Sequence, residues 1–377
     1  MHFDGFESLT WQGFTWSLGV TVAAMFVLFP LAQRLGLVDH PAGRKDHGHS
    51  TPATGGVAMY VGMLVAVLAS TPASAPVRSL LVAGALLVVT GWLDDRFDLR
   101  WYWRLAIQGL AALILIYGGG VRIEQIGPVF GAGATSLGAL SVPLTIIATV
   151  GLINALNMID GIDGLAGTLM LVALLMVLAA AGYSGNGMLA ERTTALVGAV
   201  TGFLLFNFRF PGRRRAHAFM GNSGSALLGL VVAWSCFRLT QNEGHPVSPV
   251  LALWLAPVPV IDCLALIVRR LRAGRSPFAA DHDHVHHLMR DAGYSPASTA
   301  LALAVFTGLC GLAVGQCLRW DVPEPILLLA YAALLAAWCA LTGKRERAVA
   351  FFRVVRFWAR WRRPADQAVA EVARNEA

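Results

Sequence analysis

Five groups of polar residues interrupt an otherwise apolar chain, and each contains residue types that handle phosphate or divalent cations. The first runs from Asp39 to Gly56 (DHPAGRKDHGHSTPATGG), where Arg44, Lys45 and His47 supply cationic donors. Pro41, Pro52, Gly55 and Gly56 break helix and let backbone approach closely. The plainer alternative is a basic loop that only sets topology. The second group is Asp94, Asp95 and Asp98 in GWLDDRFDLRWYWR. Clustered carboxylates suit Mg²⁺ binding or proton abstraction beside phosphate. Their alternative is a set of salt bridges to Arg96, Arg100 or Arg104.

The third group, NALNMIDGIDGLAG, places Asn154, Asn157, Asp160 and Asp163 at steps of three. On a helix, consecutive members of that series share a face. Gly161, Gly164 and Gly167 can instead open the backbone after Asp160. Either way, four amide and carboxylate groups can read a nucleotide and hold a cation, and so many polar groups would be costly to bury without partners. The fourth, AFMGNSGSALLG, follows Arg213, Arg214 and Arg215. Gly221, Ser223, Gly224 and Ser225 at a helix start could present N–H groups to a phosphate. Small residues that allow tight helix packing are the alternative. The fifth, RAGRSPFAADHDHVHHL, gathers His284, His286 and His287 with Arg272 and Arg275. It reads as a transition-metal site or as a pyrophosphate-binding loop, and the Mg²⁺-suited carboxylates elsewhere favour the second.

The elements that must position these groups are membrane helices. Of 377 residues, 56% are hydrophobic and 14% charged, against about 25% charged in soluble domains. That balance excludes disorder, a collagen-like repeat and a disulfide-stapled secreted fold. Crossing a bilayer takes about 20 apolar residues. Apolar runs near 12–36, 53–70, 77–93, 103–118, 138–156, 164–182, 193–208, 222–238, 249–268, 297–317 and 323–342 predict an all-α polytopic protein with about eleven transmembrane helices. Alternating patterns expected of a membrane barrel are absent from the sequence.

Charge sets the orientation. Taking the gaps in order, Arg78, Arg122, Arg192, Arg238 and Arg319 fall on one side, and the other 24 of the 29 Lys and Arg residues on the other. By the positive-inside rule the N-terminus is periplasmic and the basic C-terminus cytoplasmic. The first span lacks a basic leader and reads as a retained helix. All five polar groups then fall at cytoplasmic helix ends. A solute carrier would be expected to keep its ionisable groups near mid-bilayer. One-sided clustering instead suits an enzyme with a water-soluble cytoplasmic substrate and a lipid as the other. The net charge of +7 reads as topology, so no nucleic-acid partner is expected. Cys236, Cys263, Cys310, Cys317 and Cys339 read as buried thiols. The tail segment FFRVVRFWARWRR reads as an interfacial helix attracted to membrane lipid.

Taken in order, the five motifs and the span count resemble the polyprenyl-phosphate N-acetylhexosamine-1-phosphate transferases over roughly residues 12–342. The HVHH motif after SPF is similar to the WecA-type branch, which starts O-antigen or related surface glycans. The resemblance implies a membrane-embedded transferase domain over 1–342 and a basic cytoplasmic tail over 343–377, in the bacterial inner membrane. It implies transfer of an N-acetylhexosamine-1-phosphate, with GlcNAc-1-phosphate favoured, from a UDP-N-acetylhexosamine to undecaprenyl phosphate, with Mg²⁺ (or Mn²⁺) as cofactor. Asp94, Asp95, Asp160 and Asp163 would be catalytic, with Asp94 and Asp95 near the lipid phosphate, Asp94 a candidate base, and Asp160 with Asn157 lining the nucleotide-sugar site. Lys45, Arg104, Asn154, Asn157, His284, His286 and His287 would bind substrate, and Asp163 and Asn222 would hold the metal. Homodimerisation is left open.

Two positions depart from the family pattern. Asn222 stands where the family usually has a metal-linked Asp, removing one negative charge, and His282 stands where this branch often has Arg. Three other readings are kept: the muramyl-pentapeptide branch of the family, a non-catalytic lipid-glycan binding protein, and an intramembrane aspartyl protease. The last needs facing carboxylates within the bilayer, which the sequence does not supply.

Overall fold

The computed structural model describes residues 11–39, 51–69, 73–129, 133–213, 215–276 and 283–361. Arg44, Lys45, His47 and His282, with the tail beyond Trp361, lie outside the described residues. Helix α1 (Gln12–Leu35) ends on Gly36, followed by a two-residue antiparallel ladder of β1 (Val38–Asp39) with β2 (Thr51–Pro52). Helices α2 (Gly55–Ala69), α3 (Ala75–Phe97) and α4 (Trp101–Leu113) follow, α4 continuing as a π-turn over Ile114–Gly118. Then come α5 (Ser141–Ile159), α6 (Leu165–Tyr183), α7 (Gly187–Asn207) and α8 (Gly221–Thr240). The described chain closes with α9 (Val250–Leu255), α10 (Pro257–Arg272), α11 (Val285–Asp291), α12 (Pro296–Arg319), α13 (Glu324–Thr342) and α14 (Arg345–Trp361).

A helical element stands at each of the eleven predicted runs, but they are not equivalent. Among the described residues, eight helices are long and apolar enough to cross a membrane. The chain is therefore an all-α polytopic membrane protein in its architecture. Of the other three, α2 has 15 residues and α4 needs its π-turn to lengthen it. The run at 249–268, expected as one helix, is two. Ala256 leaves helical geometry (φ −133°, ψ 50°), because Pro257 has no N–H to continue the ladder and disfavours a helical residue before it.

The spans form layers around α8. Its most apolar stretch is 89% buried, against 17% for α1 and for α13, which are left to face lipid. Helix α8 packs between α3 and α5, with α2 and α6 also against it. Close approach is what small residues permit here. Gly91 on α3 lies against the Ser223 backbone, and a Cβ at that position would overlap it. The small residues of the fourth motif thus serve tight packing.

Candidate active site

Helix α3 carries Asp94 and Asp95 in its last turn and stops at Asp98 in the left-handed region (φ 51°). Asp94 is buried, and its carboxylate is fully engaged. The Leu99 N–H donates to Oδ1 at 2.9 Å, while Arg104 Nη1 and Asn222 Nδ2 donate to Oδ2 at 3.2 and 2.8 Å. The expected salt bridge to Arg104 is therefore present. Asp95 turns to the other side, and both its oxygens accept from the Asn222 N–H at 3.1 Å. Those bonds cap α8, where a negative charge meets the positive end of the helix dipole. This corrects the expectation of a phosphate on the start of α8, because the Asp95 carboxylate already occupies that N-terminus.

Asn222 joins two other groups. Its Nδ2 donates to Asp94, and its Oδ1 accepts from Asn157 Nδ2 at 2.8 Å. Turning the amide over would set oxygen against carboxylate and NH₂ against NH₂, so the orientation follows from its partners. The oxygen expected on a cation is thus hydrogen-bonded to Asn157. Asn157 also donates to Ser225 Oγ at 3.0 Å.

The third motif divides at the end of α5. Asn154 and Asn157 are helical, whereas Asp160 is the C-cap (ψ 51°) and Asp163 lies in the turn beyond. Asn154 points away, donating to Gln108 Oε1 at 2.6 Å. Asp163 accepts from Arg209 Nε at 2.6 Å and from the Ala216 N–H at 3.1 Å, both on Oδ2. Gly164 then starts α6 at φ 80°, a conformation other residues rarely adopt, and donates its N–H to Asn207 Oδ1 at 2.8 Å.

The three histidines sit on and just before α11. The His284 and His286 rings stack at 5.5 Å, and His286 and His287 are 4.2 Å apart between centroids. His286 is buried against Gly161, with no hydrogen-bond partner on either ring nitrogen. Burial, then the neighbouring His287 and His284, holds its pKa well below 6.5, so the ring is neutral. His284 has an unforeseen partner: its Nδ1 lies 2.9 Å from Asp262 Oδ2. Asp262 Oδ1 also accepts from the Val285 N–H at 3.1 Å and from Trp338 Nε1 at 3.3 Å. Asp262 is the lone carboxylate in the apolar run at 249–268, the signal that could have found it. Arg209, Asn207 and Gln108 were also missed, being recognisable only by their partners.

These pieces enclose a cavity of about 410 Å³, within the range of small-molecule sites. Its wall includes Asp95, Asn157, Asp160, Asp163, Asn222 and His287. Gly36, Leu37 and Val38, just before the first motif, and Ala53 within it also line the cavity. Among the described residues no side-chain hydrogen bond holds the Asp160 carboxylate. Burial, then repulsion from Asp163 and Asp95, pushes its pKa up to about 7. A second space of about 30 Å³, lined by Asp94, Arg104, Gln108 and Asn154, shares Asn157 and Asn222 with the first. The expected pairing of Asp94 with Asp95 is therefore divided by the fold: Asp95 joins Asp160 at the larger space, Asp94 stays with Arg104 at the smaller, and Asn157 and Asn222 lie between them. Among the described residues no three His, Cys, Asp or Glu side chains converge as a metal cage.

Residues 77–240 match the family model described as glycosyl transferase family 4. That interval contains the carboxylates and amides of both compartments and stops before the histidines. Similarity to named proteins extends further. The undecaprenyl-phosphate alpha-N-acetylglucosaminyl 1-phosphate transferase of Yersinia pestis is 35% identical over 91% of this chain and 93% of its own length. The chain belongs to glycosyl transferase family 4. Proteins with the same name from Haemophilus influenzae (36% identity; 76% of this chain, 81% of that protein) and Escherichia coli K12 (34%; 82% and 85%) are similar along comparable stretches. The family indicated by the five motifs is thus the family found, and this family 4 transferase divides its second and third motifs between two adjoining compartments.

Proposed function

We propose that the protein transfers GlcNAc-1-phosphate from UDP-GlcNAc to undecaprenyl phosphate at the cytoplasmic face of the bacterial inner membrane, releasing UMP. The activity for which the relatives are named supports the two substrates, and the one-sided distribution of basic residues supports the face. The observation that carries the reading is the pair of compartments joined at Asn157 and Asn222. The larger suits the nucleotide sugar, and the smaller, at Asp94 and Arg104, suits the acceptor phosphate. An oxygen of that phosphate forms a bond to the β-phosphorus of the donor. The bond from this phosphorus to the bridging oxygen breaks, and UMP leaves with its electrons. The product is the first lipid-linked sugar of a surface glycan such as O-antigen.

Two anions must meet, so placement and positive charge supply most of the catalysis. Arg104, held by Asp94, orients the acceptor phosphate. A phosphate monoester is already largely ionised near neutral pH, so Asp94 serves more to fix Arg104 and Asn222 than to remove a proton. His287 at the cavity wall, with His284 and His286 behind it, meets the donor diphosphate. A divalent cation fits the larger cavity, because Asp95, Asp160 and Asp163 border it and their mutual repulsion is already expressed at Asp160. Mg²⁺ characteristically uses one or two carboxylates plus substrate phosphates, so a closed protein cage is not required. Bound there, Mg²⁺ would neutralise the diphosphate.

The test is UMP release by purified protein given UDP-GlcNAc, undecaprenyl phosphate and Mg²⁺, beside Asp94→Asn and with other UDP-N-acetylhexosamines and UDP-muramyl-pentapeptide as donors. Lipid-dependent release with UDP-GlcNAc, lowered about 100-fold or more by the substitution, is expected. Release with another donor alone would replace the sugar in this reading. No release from folded protein with any donor would favour a binding role.

A further inference from the structure

Span α13 ends at Thr342 and α14 begins at Arg345, so α14 starts where hydrocarbon gives way to headgroups. Two of its faces differ. Ala348, Val349 and Phe352 are buried against the protein. Phe351, Val354, Val355 and Trp358 follow the spacing of a single helical face and are 43 to 56% exposed. Lys344 and Arg347 lie in line with that stripe at its N-terminal end, and the sequence continues into Arg360, Arg362 and Arg363. An apolar stripe with basic flanks, beside a membrane-spanning body, is complementary to a headgroup layer that contains anionic lipid.

The buried face of α14 meets the histidine helix. Arg345 pairs with Asp283 at 2.6 Å and also with Asp291, which is the last residue of α11. Asp283 immediately precedes His284 and also pairs with Arg269 at 3.4 Å. Arg356 Nη1 donates to the Ala292 carbonyl at 3.2 Å, and Tyr294 Oη donates to the Phe352 carbonyl at 3.2 Å. Both ends of α11 are therefore fastened to α14.

We infer that α14 is a surface helix that binds anionic lipid headgroups, and that its seating on the bilayer holds the histidine helix α11 in place. The occupant of its apolar stripe is the lipid layer around the protein, since the basic flanks of a second copy would repel these. Lipid binding by α14 is separate from the proposed transfer reaction and can be followed without substrate.

Amide hydrogen exchange of the full chain would be followed over 285–291 and 345–361 in nanodiscs of phosphatidylcholine, and in discs with about a third phosphatidylglycerol. Exchange in both segments should slow by about fivefold or more in the anionic discs. The double variant Lys344→Glu/Arg347→Glu should lose that difference in both. Arg345→Ala/Arg356→Ala, which removes the side chains of α14 that reach both ends of α11, should keep the lipid response over 345–361 and lose most of it over 285–291. Equal exchange in the two lipids would overturn the lipid site. So would protection that follows the number of protein copies per disc instead of lipid charge. A fully retained response over 285–291 in Arg345→Ala/Arg356→Ala would overturn the coupling.

Discussion

The Asp262 carboxylate accepts from the His284–Val285 segment and from Trp338 on α13, so it fixes which way the His284 ring faces. Asp262→Asn offers an NH₂ or an oxygen to the same ring and disturbs its tautomer more than its packing. UMP release should fall by about 10- to 100-fold, the range found when a partner orienting a functional imidazole is lost. Asp262→Ala should also lower the melting temperature, since buried donors are left unpaired at a cost of about 1–3 kcal/mol. Unchanged turnover in the Asn variant would remove Asp262 from the site. At Asn222, substitution by Asp would set a second carboxylate against Asp94 where a 2.8 Å hydrogen bond now stands. Asn222→Asp should therefore be less thermostable in chelator and recover more than the native protein as Mg²⁺ is added. Coincident Mg²⁺ titrations of the two would show that the amide has no bearing on the cation. Asp160 supplies a pH dependence. Its pKa is raised from 3.8 to about 7, so over that window the folded state holds a proton that the unfolded chain releases. This contribution to stability is full below about pH 4 and is lost as pH rises through 7. In chelator the melting temperature should drop between about pH 4 and 7, and Asp160→Asn should remove part of that drop. A slope unaffected by the substitution would contradict the assignment.

At the scale of elements, the site depends on how closely α3 and α8 approach. Gly91 meets the Ser223 backbone, so Gly91→Ala must push α8 away from α3 and with it Asn222 from Asp95. Overpacking of that kind costs about 1–3 kcal/mol. The expected result is a lower melting temperature together with reduced turnover. A fully active, equally stable variant would show that the helices have room to part. The break at Ala256 has a related use. It starts α10 afresh at Pro257, and Asp262 stands on this second, longer helix beside the histidines. A single continuous helix over 249–268 was the natural reading of its hydropathy. Pro257 and Pro259 were visible in the same run, but whether a proline kinks, breaks or merely starts a helix depends on what fills the gap.

Across the whole molecule, polar residues gather at one end of the bundle while α1 and α13 turn apolar surface outward. If the basic side faces the cytoplasm, a cysteine placed at Lys344 should resist a membrane-impermeant thiol reagent in intact cells, and one placed at Gln241 should react. The reverse pattern would invert the proposed topology. Gln241 belongs to the opposite end, where its side-chain oxygen accepts from the Glu124 and Gln125 N–H groups at 2.9 and 3.1 Å.

Hydropathy located the helices and the motifs located their polar ends, because apolar run length and residue type are local properties of the chain. The five motifs in order also carried the family. What the chain alone left open was which polar groups face one another. Asp94 and Asp95 are neighbours in sequence, yet a helix directs adjacent side chains about 100° apart, so they serve different compartments. Asn222 reads locally as one member of a glycine-rich helix start. Its place between Asp94 and Asn157 arises from the packing of α8 between α3 and α5, contacts that span 128 and 65 residues. Asp262 gave one weak sign, a carboxylate in an apolar run, and its partners come from elements brought together only by folding. The sequence by itself thus determined the membrane class and the chemical repertoire. Tertiary packing decided the division of labour, because long-range hydrogen bonds fix which lone pairs remain for a substrate.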